Sequence, residues 1–411
     1  MILPYFEDVV RGVEAKLGAA GPGDPVARKR LTLELARLGV RLFDGQHQVA
    51  WCGIATPYDL LAAMDVTPCF VEFVGATLSS TGMAGPMLEA AEQSGFPTDS
   101  CAYHRAVLAA DEAGLMPDAD LVVGTSLPCS GGMAVIEQLA HRHAWPLMLV
   151  HVPPEEGEVA QAYLTEQYRS LVTFVEERTG RPLDPARLRE TVERSNRTRE
   201  LLVEVYALAG AVPTPARGRD MVNLGITVPL LFGTEAGESV ARSYRDELAA
   251  KLAARDPHLP REPLRLMWLQ NRIQFRSPVE TLLADEFGAL IVADELNDVW
   301  WGPIDPADPI PGMALRSLSS PLMLSARRRA DQILALAERY AVDAVINPCH
   351  WGCRQGTGTR GLIQGALQEH DLPVLNLEVD CVDARQFAHG QIRTRLEAFV
   401  EMLQQRRGAG G

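Results

Sequence analysis

Short apolar runs alternate with amphipathic stretches along most of the chain after about residue 46. In the first half the strand-like runs are HQVAWCGI, VTPCFVEFV, ADLVVGTS and WPLMLVHV, and stretches with helical spacing separate them. A second alternating section starts at LRLMWLQ and continues through GALIVADEL, DAVINP and LPVLNLEV. Buried strands that alternate with helices are typical of a parallel sheet covered on both faces. The pattern therefore predicts two α/β halves with similar architecture.

Two other regions have no convincing strand pattern. Residues 1–45 read as two helices around the break GPGDP, and the region between the two alternating sections is helical and rich in charge pairs. We predict an α/β fold with two Rossmann-like or flavodoxin-like parallel-sheet domains, an N-terminal helical segment and a helical connector. The predicted parts are the N-terminal segment 1–45, the first α/β domain 46–153, the connector 154–258 and the second α/β domain 259–411.

Composition narrows the possible partners and the compartment. The 411 residues carry a formal net charge of −14 without a run of basic residues, so nucleic acid and anionic membranes are poor partners. No stretch comes near the about 18 consecutive apolar residues that a membrane-spanning helix needs, and the start of the chain lacks the features of a signal peptide. We expect a cytoplasmic protein, where thiols stay reduced. Its seven cysteines are then buried residues, metal ligands or catalytic groups.

Four cysteines lie beside turns or glycine-rich loops. Cys101 starts a predicted helix in FPTDSCAYHRA, and Cys129 follows the strand of ADLVVGTS at a Gly-Gly turn. Cys349 and Cys353 occur in NPCHWGCRQGTG, after the apolar run AVDAVI. Ligands of open α/β sheets gather at the carboxyl ends of strands, and helix N-termini favour anions. This placement points to one crevice shared by the two halves.

Several kinds of cysteine chemistry are compatible with these positions. A structural zinc site would be expected to have paired C-x-x-C or C-x-x-H motifs, whereas C-x-x-x-C occurs once here with His350 inside it. The same spacing does not fit a thioredoxin-like motif. Cys52 and Cys69 are better interpreted as small, buried apolar side chains. For Cys381, simple burial and a functional role are both open.

An ordered set of motifs indicates a resemblance to a known protein family. The stretches IATPYDLLAAMDVTP, TDSCAYHRA, ADLVVGTSLPCSGG, NPCHWGCRQ and LPVLNLEVDCVDARQFAHGQIRTRLEAFVEML follow one another along the chain. In this order they resemble the D-component of the (R)-2-hydroxyacyl-CoA dehydratases, a family that also contains ATP-dependent benzoyl-CoA reductase subunits. The resemblance runs from about residue 46 to 403. It implies two α/β domains that hold one [4Fe-4S] cluster through three cysteines.

The resemblance also implies roles for individual residues. Cys101 matches the first cluster ligand and Cys129 the second. The third is either Cys349 or Cys353, and the match of HWGCR favours Cys353. If both bound the cluster, no iron would be open to substrate. His350 is the candidate catalytic residue, as a proton donor near the cluster or as a residue that orients the loop.

We further expect Trp351 to pack over the site and to exclude water. Family members would receive an electron from an ATP-hydrolysing iron–sulfur activator and pass it to an acyl-CoA substrate, which forms a ketyl radical anion. The resemblance also implies a homologous second subunit or a homodimer, in an enzyme of the dehydratase lyase or acyl-CoA reductase type. One alternative is a non-catalytic electron-transfer or scaffolding iron–sulfur protein.

A less favoured alternative is a double-cubane-cluster reductase of the same superfamily. This chain has Asn271 and Asn297 where that relative carries additional cysteines, which speaks against a second cubane.

Overall fold

The computed structural model of the protein describes residues 2–21, 23–155, 157–216, 218–221, 224–255, 264–296 and 298–409. Within these ranges eight strands form two sheets. The strands are β1 Gln48–Cys52, β2 Val66–Phe70, β3 Leu121–Thr125, β4 Leu147–Val150, β5 Leu264–Trp268, β6 Ala289–Asp294, β7 Ala344–His350 and β8 Val374–Val379.

The two sheets have the same topology. Their strand orders are β2-β1-β3-β4 and β6-β5-β7-β8, and every pair of neighbours is parallel. Helices cover both faces of each sheet, so the central strands are buried along nearly their whole length. The predicted fold class, α/β with two parallel-sheet halves, is confirmed.

Helices make up most of the remaining structure. In the first part of the chain they are α1 Ile2–Gly18, α2 Ala27–Phe43, α3 Tyr58–Ala63, α4 Val71–Ser80, α5 Ala84–Gln93, α6 Ala102–Glu112, α7 Ser130–His143, α8 Glu158–Thr179 and α9 Pro185–Ala209. They continue with α10 Gly218–Met221, α11 Leu224–Thr227, α12 Glu235–Ala253, α13 Val279–Thr281, α14 Pro309–Leu318, α15 Ala326–Arg339, α16 Arg354–Gly358, α17 Arg360–Glu369 and α18 His389–Ala409. No helix in the described ranges is both long enough and apolar enough to cross a membrane.

The region predicted as a connector packs on both sheets. Leu164 and Tyr168 of α8 join the core of the first sheet, whereas Val205 of α9 and Val240 of α12 join a core on the second sheet. Helix α14 of the second half packs against α8. The domain limits remain predictions, and the predicted limit between residues 258 and 259 lies outside the described residues.

One predicted strand is shorter than expected. The run VTPCFVEFV is apolar apart from Thr67 and Glu72, but β2 ends at Phe70 and α4 begins at Val71. The five residues of β2 pair with the five residues of β1, so the sheet offers no further partner backbone beyond Phe70. The chain therefore turns into a helix, and Glu72 lies in its first turn at the carboxyl end of the sheet.

Candidate functional site

Three cysteines from both halves line one cavity of about 430 Å³. They are Cys101, Cys129 and Cys353, and we call this space the cysteine cavity. Most of its remaining surface is apolar, from side chains that include Ile54, Phe70, Phe73, Leu296 and Leu322. The cavity lies at the carboxyl ends of strands, where the loops of a parallel sheet converge.

Two of the three cysteines are held by the same local structure. Cys129 is the N-cap of α7, and its Sγ accepts a hydrogen bond from the backbone N–H of Gly132 at 3.4 Å. Cys353 is the N-cap of α16, and its Sγ accepts from the backbone N–H of Gly356, also at 3.4 Å. In each case the sulfur takes the place of the side-chain oxygen that usually caps a helix. Backbone N–H groups therefore fix both sulfur atoms at the N-terminus of a helix.

Cys101 is positioned differently. It is the N-cap residue of α6, but it makes no capping hydrogen bond through its side chain. The loop of the other half touches it directly, because a Cβ at Gly352 would lie only 2.5 Å from the backbone nitrogen of Cys101. Gly352 also has a φ of +74°, a conformation that glycine adopts without steric cost. A glycine is thus required at position 352 for the two halves to meet here.

The cavity disfavours three free thiolates. Burial raises the pKa of all three thiols, and the negative charge of Cys353 raises the pKa of Cys101 further. The N–H groups of Gly132 and Gly356 act in the opposite direction on the pKa of Cys129 and Cys353. Dehydrated like charges repel one another, so three thiolates in this place need a positive partner.

This donor set fits an iron–sulfur cluster. Cysteine thiolates are the usual ligands of such clusters, and the N-termini of α6 and α7 present partial positive charge to an anionic group. Within the described residues, no three His, Cys, Asp or Glu side chains are close enough to share a single metal ion. In a cluster each thiolate binds a different iron, so the sulfur atoms need not be that close.

Cys349 faces away from the cysteine cavity. It lies within β7 rather than after it, and it is buried. Its Sγ–H is directed at the backbone oxygen of Asn347, 3.6 Å away, and at Oδ1 of Asn376, 3.8 Å away. The structure therefore brings Cys353, but not Cys349, to Cys101 and Cys129. Which of the two is a ligand stays a prediction.

His350 is fully buried behind Cys101 and does not line the cavity. Its Nδ1 accepts a hydrogen bond from the backbone N–H of Cys381 at 2.9 Å, and its Nε2 lies 3.7 Å from Sγ of Cys101. The ring can contact the sulfur of Cys101, but it does not border the cavity that a substrate could enter. Its predicted catalytic role stays a prediction, and the loop-orienting role fits this geometry better.

The expectation for Trp351 is wrong. Its side chain is 47% exposed, and it does not line the cysteine cavity. The turn at Gly352, which follows it, directs Cys353 inwards and leaves the indole on the surface.

Two further titratable side chains, Glu72 and His104, line the cavity. Glu72 lines the cavity, and its Oε2 is buried without a hydrogen-bond partner among the described residues. Burial raises the pKa of Glu72 to about 7. His104 also lines the cavity, where burial, with a smaller effect of His350, lowers its pKa to about 4. The sequence pattern places Glu72 in a predicted strand, so it gives no indication that this carboxyl group lines the cavity.

A signal for the paired turns does exist in the sequence. It is the pattern C-x-x-G, which occurs as CSGG at 129–132 and as CRQG at 353–356, each after the third strand of its sheet. The same pattern also occurs as CHWG at 349–352, where Cys349 lies within β7, so the pattern alone does not single out the two turns. Of the two asparagines that replace double-cubane cysteines, Asn271 lines the cavity, whereas Asn297 lies outside the described residues.

Comparisons with known proteins agree on one family. Residues 54–403 match the family described as 2-hydroxyglutaryl-CoA dehydratase, D-component. Over 394 residues the chain is 22% identical to lactoyl-CoA dehydratase subunit alpha of Anaerotignum propionicum, a match that covers 87% of this chain and 90% of that protein. It is 23% identical over 381 residues to the (R)-phenyllactyl-CoA dehydratase alpha subunit of Clostridium sporogenes, with coverage of 87% and 89%. It is 24% identical over 354 residues to a benzoyl-CoA reductase subunit of Thauera aromatica, with coverage of 79% and 81%.

Proposed function

The chain belongs to the 2-hydroxyglutaryl-CoA dehydratase D-component family, and on that premise we propose that it is the iron–sulfur subunit of an enzyme that reduces a CoA thioester by one electron. The relatives named above are dehydratase and reductase subunits, so the chain is a subunit of a lyase or an acyl-CoA reductase. The reaction would be dehydration of a 2-hydroxyacyl-CoA or reduction of an aromatic acyl-CoA.

One observation carries the proposal: three cysteines of two domains line a single cavity. Cys101, Cys129 and Cys353 would hold the [4Fe-4S] cluster. When bound, such a cluster supplies one-electron chemistry at low potential. The backbone N–H groups at the two C-x-x-G turns would stabilise negative charge on the cysteine sulfurs, since hydrogen bonds to sulfur are among the features that set the potential.

The same cavity has the properties of a small-molecule site. Its volume of about 430 Å³ is within the usual range for ligand pockets, about 300–1,000 Å³. Its apolar side chains would exclude water from the reacting end of the thioester. Glu72 would hold or release a proton there, because its pKa of about 7 allows both forms near neutral pH.

The chain would work with other proteins. Its relatives are named as subunits, which supports a second, homologous subunit or a second copy of this chain. An ATP-dependent iron–sulfur activator would deliver the electron. Both partners are part of the proposal.

Metal analysis of the protein purified without oxygen tests the proposal. We expect about four iron and four sulfide per chain, with the broad visible absorption of thiolate-bound iron. Stoichiometric zinc without iron would contradict it.

A second measurement separates a catalytic subunit from an electron carrier. Lactoyl-CoA, phenyllactyl-CoA and benzoyl-CoA are suitable probes, because they correspond to the names of the relatives. If substrate meets the iron, at least one probe should change the EPR spectrum of the reduced cluster. An unchanged spectrum with all three probes would favour the electron-transfer or scaffolding protein.

A further inference from the structure

A buried contact between Cys101 and His350 joins the two halves of the molecule. Nε2 of His350 lies 3.7 Å from Sγ of Cys101, although the residues are 249 positions apart. His350 is fully buried at the end of β7, and Cys101 precedes α6. The contact is polar and lies behind the cysteine cavity rather than in it.

The hydrogen bonds of the ring fix its tautomer. Nδ1 is 2.9 Å from the backbone nitrogen of Cys381, which can only donate a proton. Nδ1 must therefore carry a lone pair, and the proton of the neutral ring must be on Nε2. The N–H group of His350 is thus directed at the sulfur of Cys101.

The other neighbours of His350 do not compete for this proton. Oδ1 of Asp380 lies 3.7 Å from Nδ1, which is too far for a hydrogen bond. That oxygen instead accepts from the backbone N–H groups of Val382 and Asp383, both at 2.7 Å. The ring of Tyr103 meets the imidazole edge-on at a centroid distance of 5.4 Å.

We propose that His350 is a positioning residue for Cys101: its Nε2–H donates a hydrogen bond to Sγ and thereby raises the reduction potential of the cluster. The proposal rests on the proposed function, because it needs Cys101 to be a cluster ligand. An N–H donor stabilises negative charge on a ligand sulfur, and the reduced cluster carries one more negative charge than the oxidised one. Because Nδ1 binds the N–H of Cys381, that backbone bond sets the ring orientation that the donation requires.

Two substitutions of His350 separate donation from simple support of the loop. In His350→Asn the side-chain oxygen can take the place of Nδ1 and keep the bond to Cys381, but nothing reaches Cys101. In His350→Gln the amide N–H can take the place of Nε2 and reach Sγ, while the acceptor for Cys381 is lost. The measurement is the midpoint potential of the cluster by EPR-monitored titration of the anaerobically purified protein.

We expect His350→Asn to lower the reduction equilibrium constant about tenfold, which is ~59 mV for one electron. His350→Gln should stay within about threefold of wild type, even if it is less stable. Equal potentials in wild type and His350→Asn would overturn the proposal, and so would equal shifts in both variants. A wild-type protein without any cluster would instead refute the proposed function.

A measurement on the unaltered residue covers the case in which both variants lose the cluster. Protein that carries His104→Gln, which removes the histidine lining the cavity, and that is grown with ¹⁵N-labelled histidine should still show a nitrogen coupling in pulsed EPR of the reduced cluster, together with an exchangeable proton. A loaded cluster without a histidine coupling would overturn the proposal.

Discussion

The two C-x-x-G turns have the same local geometry and different surroundings. CSGG at 129–132 and CRQG at 353–356 each place a cysteine as an N-cap whose sulfur accepts from the glycine N–H at 3.4 Å. The first turn leads into the 14-residue helix α7, whereas the second leads into the five-residue helix α16. The local pattern does not by itself specify this turn, because CHWG at 349–352 shares it and Cys349 lies within β7, and it does not specify what packs against the turn.

The difference is in the side chain that approaches each glycine. A Cβ at Gly132 would lie 2.7 Å from Oε1 of Glu72, a carboxyl group whose other oxygen has no hydrogen-bond partner among the described residues. A Cβ at Gly356 would overlap with Oε1 of Gln270. The amide of Gln270 is held by bonds to Oδ1 of Asn347 at 3.0 Å and to the backbone oxygen of Gly356 at 2.8 Å. The second turn is therefore locked into its sheet, while the first adjoins a titratable group.

The largest effect should come from removing the sulfur of the second turn. We expect Cys353→Ser to abolish or convert the cluster, because the hydroxyl is a poor substitute for a soft thiolate ligand. Cys349→Ser, four residues earlier and within β7, is the matched control, and it should keep its iron, since the new hydroxyl can use the oxygen of Asn347 or Asn376. Iron and sulfide content of the two proteins, purified without oxygen, checks this. The opposite result would exchange their roles, and loss in both would indicate a four-cysteine cluster and favour the electron carrier.

A smaller effect should separate the two glycines. Gly356→Ala forces a methyl group against the fixed amide of Gln270, and overpacking of this kind costs about 2–3 kcal/mol. In Gly132→Ala the new methyl group is closer than normal contact only to the end of the Glu72 side chain, which can move, so we expect a loss below about 1 kcal/mol. Urea unfolding monitored by circular dichroism compares the free energies.

Gly358→Ala serves as the control for helix propensity in α16, because a Cβ there would meet no described atom within 4 Å. If Gly132→Ala and Gly356→Ala lost equal stability, the two turns would not differ in the way that their neighbours suggest.

The smallest effect should be a pH dependence at the first turn. Glu72→Gln gives this turn an amide neighbour, as Gln270 already does for the second. In the wild type burial raises the pKa of Glu72 from 4.5 to about 7, so the folded state binds more protons between these values. The unfolding free energy of wild type should therefore fall as pH rises from about 4.5 to about 7 and change little above.

The Gln variant should lack that part of the fall. Glu72 keeps some exposed surface, which reduces the size of the expected effect. We expect the stability of Glu72→Gln relative to the wild type to rise by about 1–2 kcal/mol between about pH 5 and about pH 8. Parallel urea titrations at the two pH values measure this difference. Equal pH dependence in both proteins would show that Glu72 does not carry the proton.

The sequence alone determined the architecture. Alternation of apolar runs and amphipathic helices predicted the two parallel sheets, because strands buried on both faces are apolar along most of their length. It also placed Cys101, Cys129 and Cys353 beside strand ends and loops, where ligands of such folds gather, whereas Cys349, expected there too, lies within β7. These are local properties of the chain, so they can be read without knowledge of distant contacts.

Only the tertiary structure decided which side chains meet. Strand β7 continues to His350 because it pairs with β8, from Val345↔Val374 to His350↔Val379. Inside a strand neighbouring side chains point to opposite faces, so Cys349 and His350 are directed to different sides of the sheet. In the same way, the end of β1 stops β2 at Phe70 and turns Glu72 into the cavity. Both results depend on where a partner strand ends, and hydrogen bonds between segments distant in sequence set that point.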